Sequence, residues 1–115
     1  FDYESASLDR KSAKCGDNVN LNIKLRNAGK RDGDEVVQVY IRKEGDFGGP
    51  VKTLRAFKRV TLPAGTSRDI AFTLTPYAFK TYDQKSGRMA VTPGKYEILY
   101  GGSSENLKSL PLTLK

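Results

Sequence analysis

Val19-Asn20-Leu21-Asn22-Ile23-Lys24-Leu25-Arg26 is the stretch that decides the fold, because apolar and polar residues alternate through all of it. A period of two places alternate side chains on opposite faces of a β-strand, so one face can be buried while the other is solvated. Antiparallel sheets commonly have one face on the core and one in water. We therefore predict a half-buried antiparallel strand here.

The same alternation recurs along the chain, with turn residues between the segments. In residues 35–43, Val37, Val39 and Ile41 share one parity, and further strand-like segments lie at 3–8, 51–62, 70–74, 88–91, 96–100 and 110–114. Gly29, Gly33, Gly65 and Gly94 lie where turns favour a residue that tolerates positive φ. At most one helical turn is expected, at 77–83, because no longer segment has a period of 3.6 residues.

This pattern predicts an all-β protein with an immunoglobulin- or fibronectin type III-like Greek-key β-sandwich of seven to eight antiparallel strands. The 115 residues suffice for a single domain, residues 1–115. The segment 51–62 is irregular, because Leu54, Ala56 and Val60 share one parity while Phe57 has the other. Either a β-bulge near Ala56 shifts the register or Phe57 points outward.

Composition is typical of a globular domain, with 29% charged and 37% hydrophobic residues. No apolar run approaches the roughly 18 residues of a membrane span, so we expect no membrane partner. The chain begins Phe1-Asp2-Tyr3-Glu4, without an initiator methionine or a secretory signal, and we expect it to be cut from a longer polypeptide. Cys15 is the one cysteine, which excludes an internal disulfide.

Catalytic and metal-binding residue types are scarce. The chain has no histidine, which removes the Ser-His-Asp and Cys-His arrangements and histidine metal sites. Two carboxylate clusters remain as candidates for glycosidase chemistry or for weak calcium binding, and turn chemistry is the favoured interpretation of both: Asp32, Asp34 and Glu35, and Glu44 with Asp46. We predict no catalytic residue, no metal and no cofactor.

A family resemblance extends over nearly the whole chain. The chain resembles the fibronectin type III-like domain at the C-terminus of glycoside hydrolase family 3 enzymes, of the β-glucosidase and β-xylosidase type. Five motifs carry it, in the family's order and spacing: Asn27-Ala28-Gly29 followed by Gly33-Asp34-Glu35-Val36-Val37-Gln38-Val39-Tyr40; Pro50-Val51-Lys52-Thr53-Leu54-Arg55-Ala56-Phe57-Lys58-Arg59-Val60; Leu62-Pro63-Ala64-Gly65-Thr66-Ser67; Val91-Thr92-Pro93-Gly94-Lys95-Tyr96-Glu97-Ile98; and Gly101-Gly102-Ser103-Ser104.

The resemblance implies a parent glycosidase whose nucleophilic aspartate and acid/base glutamate lie in preceding domains, so no catalytic residue is carried over to this chain. It also implies a bacterial parent that is periplasmic or secreted. Such a domain packs on the catalytic domains of its own chain, stabilises them, and in some cases contributes a loop near the active site or supports dimers.

Three hypotheses follow for function. The favoured hypothesis is an accessory domain with an interdomain interface, and the candidate interface residues are Phe47, Phe57, Tyr77, Phe79 and Tyr82. For Phe57 and Phe79, packing in the core of the domain is the alternative. The second is a carbohydrate-binding module that stacks oligosaccharides on Tyr3, Tyr40 and Tyr77. The third is a polyanion patch, suggested by the net charge of +7, although we expect nucleic acid to be an unlikely partner; its residues are Lys52, Arg55, Lys58 and Arg59.

Overall fold

The computed structural model describes residues 1–43, 53–83, 87–103 and 106–115. In these residues the chain forms ten β-strands and one 3₁₀ helix. The strands are β1 (Asp2–Leu8), β2 (Ser12–Ala13), β3 (Val19–Arg26), β4 (Gly33–Lys43), β5 (Thr53–Leu62), β6 (Ser67–Leu74), β7 (Thr81–Asp83), β8 (Arg88–Ala90), β9 (Gly94–Ser103) and β10 (Asn106–Leu114), and the 3₁₀ helix is Pro76–Phe79.

Two sheets form the sandwich, and they contain all of the longer strands. The three-stranded sheet has the order β1-β3-β6, and the five-stranded sheet has the order β2-β10-β9-β4-β5. β7 and β8 form a separate two-stranded ribbon. The chain changes sheet between β1 and β2, between β2 and β3, between β3 and β4, between β5 and β6, and between β6 and β9, as expected for a Greek key. The predicted all-β sandwich is confirmed, but the described residues form ten strands rather than seven to eight. The prediction was too low because β2, β7 and β8 have only two or three residues each.

One pairing differs from the antiparallel prediction. β2 runs parallel to β10, with Ser12 opposite Thr113 and Ala13 opposite Leu114. The backbone changes sheet after β1 and then follows the last strand in the same direction, where the N–H of Thr113 donates to the carbonyl of Lys11. This short pairing extends the edge of the five-stranded sheet beyond β10.

The core lies between the two sheets and is built by the inward halves of the alternating strands. β3 buries Val19, Leu21, Ile23 and Leu25 completely, as its sequence predicts. The 3₁₀ helix adds Phe79, which is 1% exposed and lies edge-on to Tyr96 with ring centroids 5.7 Å apart. The structure thus decides the alternatives for Phe79 in favour of the core, because this ring fills the space between the sheets.

The turn between β3 and β4 is organised by a buried amide. The side-chain Nδ2 of Asn27 donates to the carbonyls of Arg31 and Leu62, and its Oδ1 accepts from the N–H of Gly29. A hydrogen-bonded Asn side chain therefore shapes this turn. Positive φ is confirmed at Gly65 and Gly94 but is wrong for Gly29, whose N–H donates to Asn27, and for Gly33, which begins β4 opposite Leu62 in extended backbone.

The predicted helical turn is shorter than the sequence suggests. It covers Pro76–Phe79, and the backbone of 81–83 pairs instead with 88–90 in the β7–β8 ribbon. Across the described ranges, no helix has the length and apolar character needed to cross a membrane.

Candidate interaction surface

The outer face of the three-stranded sheet is polar. Its paired positions on β3 and β6 are all exposed, and the side chains there are polar or small: Asn20, Asn22, Lys24, Arg26, Ser67, Asp69, Ala71 and Thr73. Water solvates such a face well, and nothing in its composition calls for a partner.

The outer face of the five-stranded sheet is apolar at its centre. Tyr40 of β4 lies between Leu54 of β5 and Leu99 of β9, and next to this row Gln38 lies opposite Phe57. Phe57 is 67% exposed, whereas Leu99 is 9% exposed although it lies outside the core cluster between the sheets. We call this surface the apolar patch, and it consists of Val36, Tyr40, Leu54, Phe57, Leu99 and Leu107.

A β-bulge brings Leu54 onto the apolar patch. Ala56 lies opposite Val39, but the next pair is Leu54 with Tyr40, so Arg55 is an extra residue in β5. The extra residue reverses the side-chain alternation, which moves Leu54 from the inward parity to the outer face beside Phe57. Both sequence alternatives therefore hold: there is a bulge near Ala56, and Phe57 points outward.

Gly101 allows β10 to approach the patch closely. A Cβ atom on Gly101 would lie 2.4 Å from the carbonyl oxygen of Asn106 and 3.1 Å from Cδ2 of Leu107. Gly101 lies opposite Gln38, so its missing side chain would point to the outer face. Leu107 therefore lies across Gly101 and extends the apolar surface toward β10.

Ion pairs border the apolar patch at both ends of β4. Nη2 of Arg42 lies 2.6 Å from Oε2 of Glu97, and Nη2 of Arg59 lies 2.7 Å from Oδ2 of Asp34. The hydrogen bond from Thr61, followed by that from Arg59, lowers the pKa of Asp34 from its ordinary value. An apolar centre with a polar rim is the usual anatomy of a protein–protein interface.

The five interface candidates separate in the structure. Phe57 is exposed on the apolar patch, and Tyr77 is 72% exposed at the 3₁₀ helix. Phe79 is buried, so its assignment to an exposed interface is wrong. Phe47 lies outside the described residues, and of Tyr82 only the backbone is described. Sequence reasoning missed Leu54, Leu99 and Leu107, although the outward parity of Val36 beside Tyr40 was a partial signal.

The candidate polyanion residues point in different directions. Nη2 of Arg55 donates to the carbonyl of Lys80, and Arg59 pairs with Asp34. Lys58 donates to the carbonyl of Ala71, and its ammonium lies 5.0 Å from the centroid of the Phe72 ring. Its aliphatic stem thereby covers the open side of the sandwich between β5 and β6. Lys52 lies outside the described residues, and the other three do not form one cluster.

The three tyrosines proposed for sugar stacking do not form one platform. Tyr3 lies in the three-stranded sheet, where its hydroxyl donates to Glu35 and its ring lies 6.1 Å from that of Tyr100. Burial raises the pKa of Tyr3. Tyr40 lies in the other sheet and donates to Gln38, while Tyr77 belongs to the 3₁₀ helix.

The candidate carboxylates also have separate local contacts. Asp32 accepts from the N–H of Ala64, Asp34 pairs with Arg59, and Glu35 accepts from Tyr3. Glu44 and Asp46 lie outside the described residues. Among the residues that the structure does describe, no group of three or more His, Cys, Asp or Glu could hold a metal ion.

A model of the fibronectin type III-like domain family matches residues 35–104, which include most of β4 and all of β5, β6 and β9. The chain belongs to this family. Fibronectin type III-like domains of this kind are non-catalytic parts of glycoside hydrolase family 3 enzymes, and the predicted resemblance is confirmed.

The relatives are much longer than this chain. The fibronectin type III-like domain is 38% identical to a xylan 1,4-β-xylosidase from Xylanibacter ruminicola over 97% of its own length and 13% of the relative. It is 32% identical to thermostable β-glucosidase B from Acetivibrio thermocellus, over 93% of this domain and 14% of that protein. A solved β-glucosidase from Erythrobacter marinus superposes with a TM-score of 0.89 at 33% identity, covering 99% of the domain and 15% of that enzyme.

Proposed function

We propose that this domain is the accessory domain of a glycoside hydrolase family 3 enzyme that hydrolyses terminal β-linked sugars. Its role is to pack the apolar patch against the catalytic domains of the same polypeptide and to stabilise them. The observation that carries the proposal is the exposed apolar centre of the five-stranded sheet, with Phe57 67% exposed between two bordering ion pairs.

The relatives are long enough to supply a partner surface from other domains of the same polypeptide. The domain spans 13% to 15% of the similar β-xylosidase and β-glucosidases, so most of such a chain lies outside it. Domains in one chain typically bury roughly 600–1,500 Å² against each other. The apolar patch, which extends over β4, β5, β9 and β10, is a suitable centre for such an interface.

Physical chemistry favours burial of this face. Soluble monomers rarely expose a contiguous apolar surface of more than roughly a few hundred Å². Apolar surfaces above that size usually mark interaction sites. Phe57 also presents a rigid aromatic ring, and aromatic rings in well-packed pockets often dominate interface energetics. Docking the patch removes this surface from water without breaking any contact inside the sandwich.

Replacement of Phe57 by serine in the full-length protein tests the proposal. We expect the full-length protein to lose about 2–4 kcal/mol of stability, as for an interface hot spot. The isolated domain should change by less than about 0.5 kcal/mol, because the side chain is exposed there. The measurement is thermal and urea unfolding of both forms, with the half-life of β-glycosidase activity at elevated temperature as a second reading.

Asn22→Ala is the matched control, because Asn22 is exposed on the outer face of the three-stranded sheet. This substitution should leave the stability of both the isolated domain and the full-length protein unchanged. Equal effects of Phe57→Ser on the isolated domain and on the full-length protein would contradict an interdomain interface.

Two alternative partners of the apolar patch, an oligosaccharide and a second copy of the protein, would give different experimental results. Calorimetric titration of the isolated domain with cello- and xylo-oligosaccharides should show no binding at millimolar concentration. Binding that is lost in Phe57→Ser would instead assign the patch to carbohydrate. Sedimentation of the full-length protein distinguishes the third case, because a dimer that Phe57→Ser dissociates would assign the patch to a second copy.

A further inference from the structure

A groove adjoins the apolar patch at the edge strand β5. Besides Arg55, its lining consists of Leu54, Ala56, Thr73, Leu74, Thr75, Tyr77 and Ala78. Its volume is about 240 Å³, enough for one or two side chains of another segment. Leu54 belongs both to this groove and to the apolar patch, so the two surfaces are continuous.

The bulge residue Arg55 also lines this groove. Its Nη2 donates to the carbonyl of Lys80 at 2.5 Å, which orients the guanidinium. Its Nε atom is buried and has no hydrogen-bond partner among the residues that the structure describes. No ion pair between described residues involves Arg55. Buried polar atoms in native structures nearly always have a partner, so the hydrogen bonding of this guanidinium is incomplete in the domain by itself.

A second cation lies beside the same groove. The ammonium of Lys80 is 4.2 Å from the centroid of the Tyr77 ring. The groove therefore combines apolar and hydroxyl side chains with two positive charges, and an acidic side chain complements the two charges. Guanidinium groups bind planar carboxylates especially well, because two N–H groups can reach both oxygens of one carboxylate.

We propose that this groove receives an acidic segment of the polypeptide outside this chain, with Arg55 holding an aspartate or glutamate carboxylate and Tyr77 packing on the adjacent apolar side chain. The inference rests on the proposed function, and it specifies that the partner surface carries an acidic residue next to an apolar one. The occupant is a segment of the same protein because the groove continues the apolar patch, and because the relatives extend far beyond the matched part.

Carbodiimide cross-linking of the full-length protein tests whether an aspartate or glutamate from another segment lies in the groove. The reagent joins a carboxyl group to a lysine ammonium within contact distance, and Lys80 is in position to react. We expect peptide mapping to find Lys80 coupled to an aspartate or glutamate that lies outside this chain. A Lys80 that couples only to carboxylates within the chain would overturn the inference.

Variants of Arg55 make the test specific. Arg55→Leu should lower the yield of this cross-link by about tenfold or more, because it removes the charge and every donor. Arg55→Lys should give an intermediate yield, since it keeps the charge but lacks Nε, and it serves as the second variant if Arg55→Leu fails to fold. Arg26→Leu, on the outer face of the three-stranded sheet, should leave the yield unchanged. An unchanged yield in both Arg55 variants would contradict the role of Arg55.

Hydroxyl-radical footprinting separates this inference from the proposed function. Oxidation rates of Phe57 and Tyr77 are compared between the isolated domain and the full-length protein, and we expect both to be slower in the full-length protein. Protection of Phe57 with full reactivity of Tyr77 would overturn the occupied groove and leave the docked patch intact. Full reactivity of both residues would contradict both proposals.

Discussion

The two sheets of the sandwich share one inward pattern and differ on their outer faces. Inward, both present aliphatic side chains such as Leu21 and Val39, which are fully buried. Outward, the three-stranded sheet presents polar or small residues such as Asn22, whereas the five-stranded sheet presents Phe57, Leu54 and the rest of the apolar patch.

This difference shows that the inward residues stabilise the fold, whereas the outward residues determine whether a face suits a partner. The core needs only the inward halves of the strands, so the outer halves are free to differ. A polar outer face is solvated without a partner, while an apolar one gains free energy when it is covered. The contrast is therefore evidence about partners, and the variants below test it.

The largest expected effect separates an inward from an outward aromatic ring. Phe79→Ala should destabilise the isolated domain by about 3–5 kcal/mol, because it leaves a cavity beside Tyr96 in the core. Phe57→Ala should change it by less than about 0.5 kcal/mol. Urea unfolding of the isolated domain measures both. Similar losses for the two variants would place Phe57 in the core and remove the contrast between the faces.

A smaller effect is expected at the glycine beneath the apolar patch. Gly101→Ala should cost about 1–3 kcal/mol, because its Cβ would lie 2.4 Å from the Asn106 carbonyl oxygen, which is part of the backbone. Gly102→Ala is the matched control. Its Cβ would meet Oε2 of Glu35 at 2.6 Å, and that flexible carboxylate can move. Thermal unfolding should therefore rank Gly101→Ala as the more damaging, and the reverse order would show that β10 approaches β9 differently.

The smallest effect concerns the carboxylates at the borders of the two sheets. The Thr61 and Arg59 hydrogen bonds lower the pKa of Asp34, and the backbone N–H of Asn20 is the main cause that lowers the pKa of Asp9. A lowered folded-state pKa means that each carboxylate contributes stability above the unfolded value of 3.8, and that this stability is lost as pH falls through the folded pKa.

Carboxyl NMR titration measures these two groups separately. Thr61→Val and Arg59→Met should each raise the pKa of Asp34 toward its ordinary value, because each removes a hydrogen bond to the carboxylate and Arg59→Met also removes a neighbouring positive charge. The pKa of Asp9 should stay unchanged in both variants, since Asp9 borders the other sheet and is held by Asn20. A shift of Asp9 in either variant would indicate that the two faces are coupled through the core.

Much of the fold could be predicted because alternation is a local property. The inward residues of β3 follow directly from its sequence, and so do those of β4. The short parallel pairing of β2 with β10 carried no such signal, because a two-residue strand shows no period. The shape of the Asn27 turn was also inaccessible, since it depends on a hydrogen bond to Leu62, which is distant in sequence.

The candidate site was predicted less completely. The outward direction of Phe57 was one of two alternatives in the sequence, because its parity differs from that of Ala56 and Val60. Phe79 was misassigned because a short 3₁₀ turn has no clear inward face in sequence. Leu54 was hidden by the bulge at Arg55, which reverses its parity. The candidate polyanion residues lie close together in sequence, but strand geometry directs Lys58 and Arg59 to opposite sides of β5.

By itself, the sequence determined the all-β class, the inward side of the longer strands and the family resemblance, because strand periodicity and turn residues act over a few neighbouring positions. Only the tertiary structure decided that Val36, Tyr40, Leu54, Phe57, Leu99 and Leu107 form one surface. These residues belong to four strands, and their proximity depends on sheet order, on register and on one bulge. Cross-strand neighbours are set by non-local pairing, which no local pattern encodes.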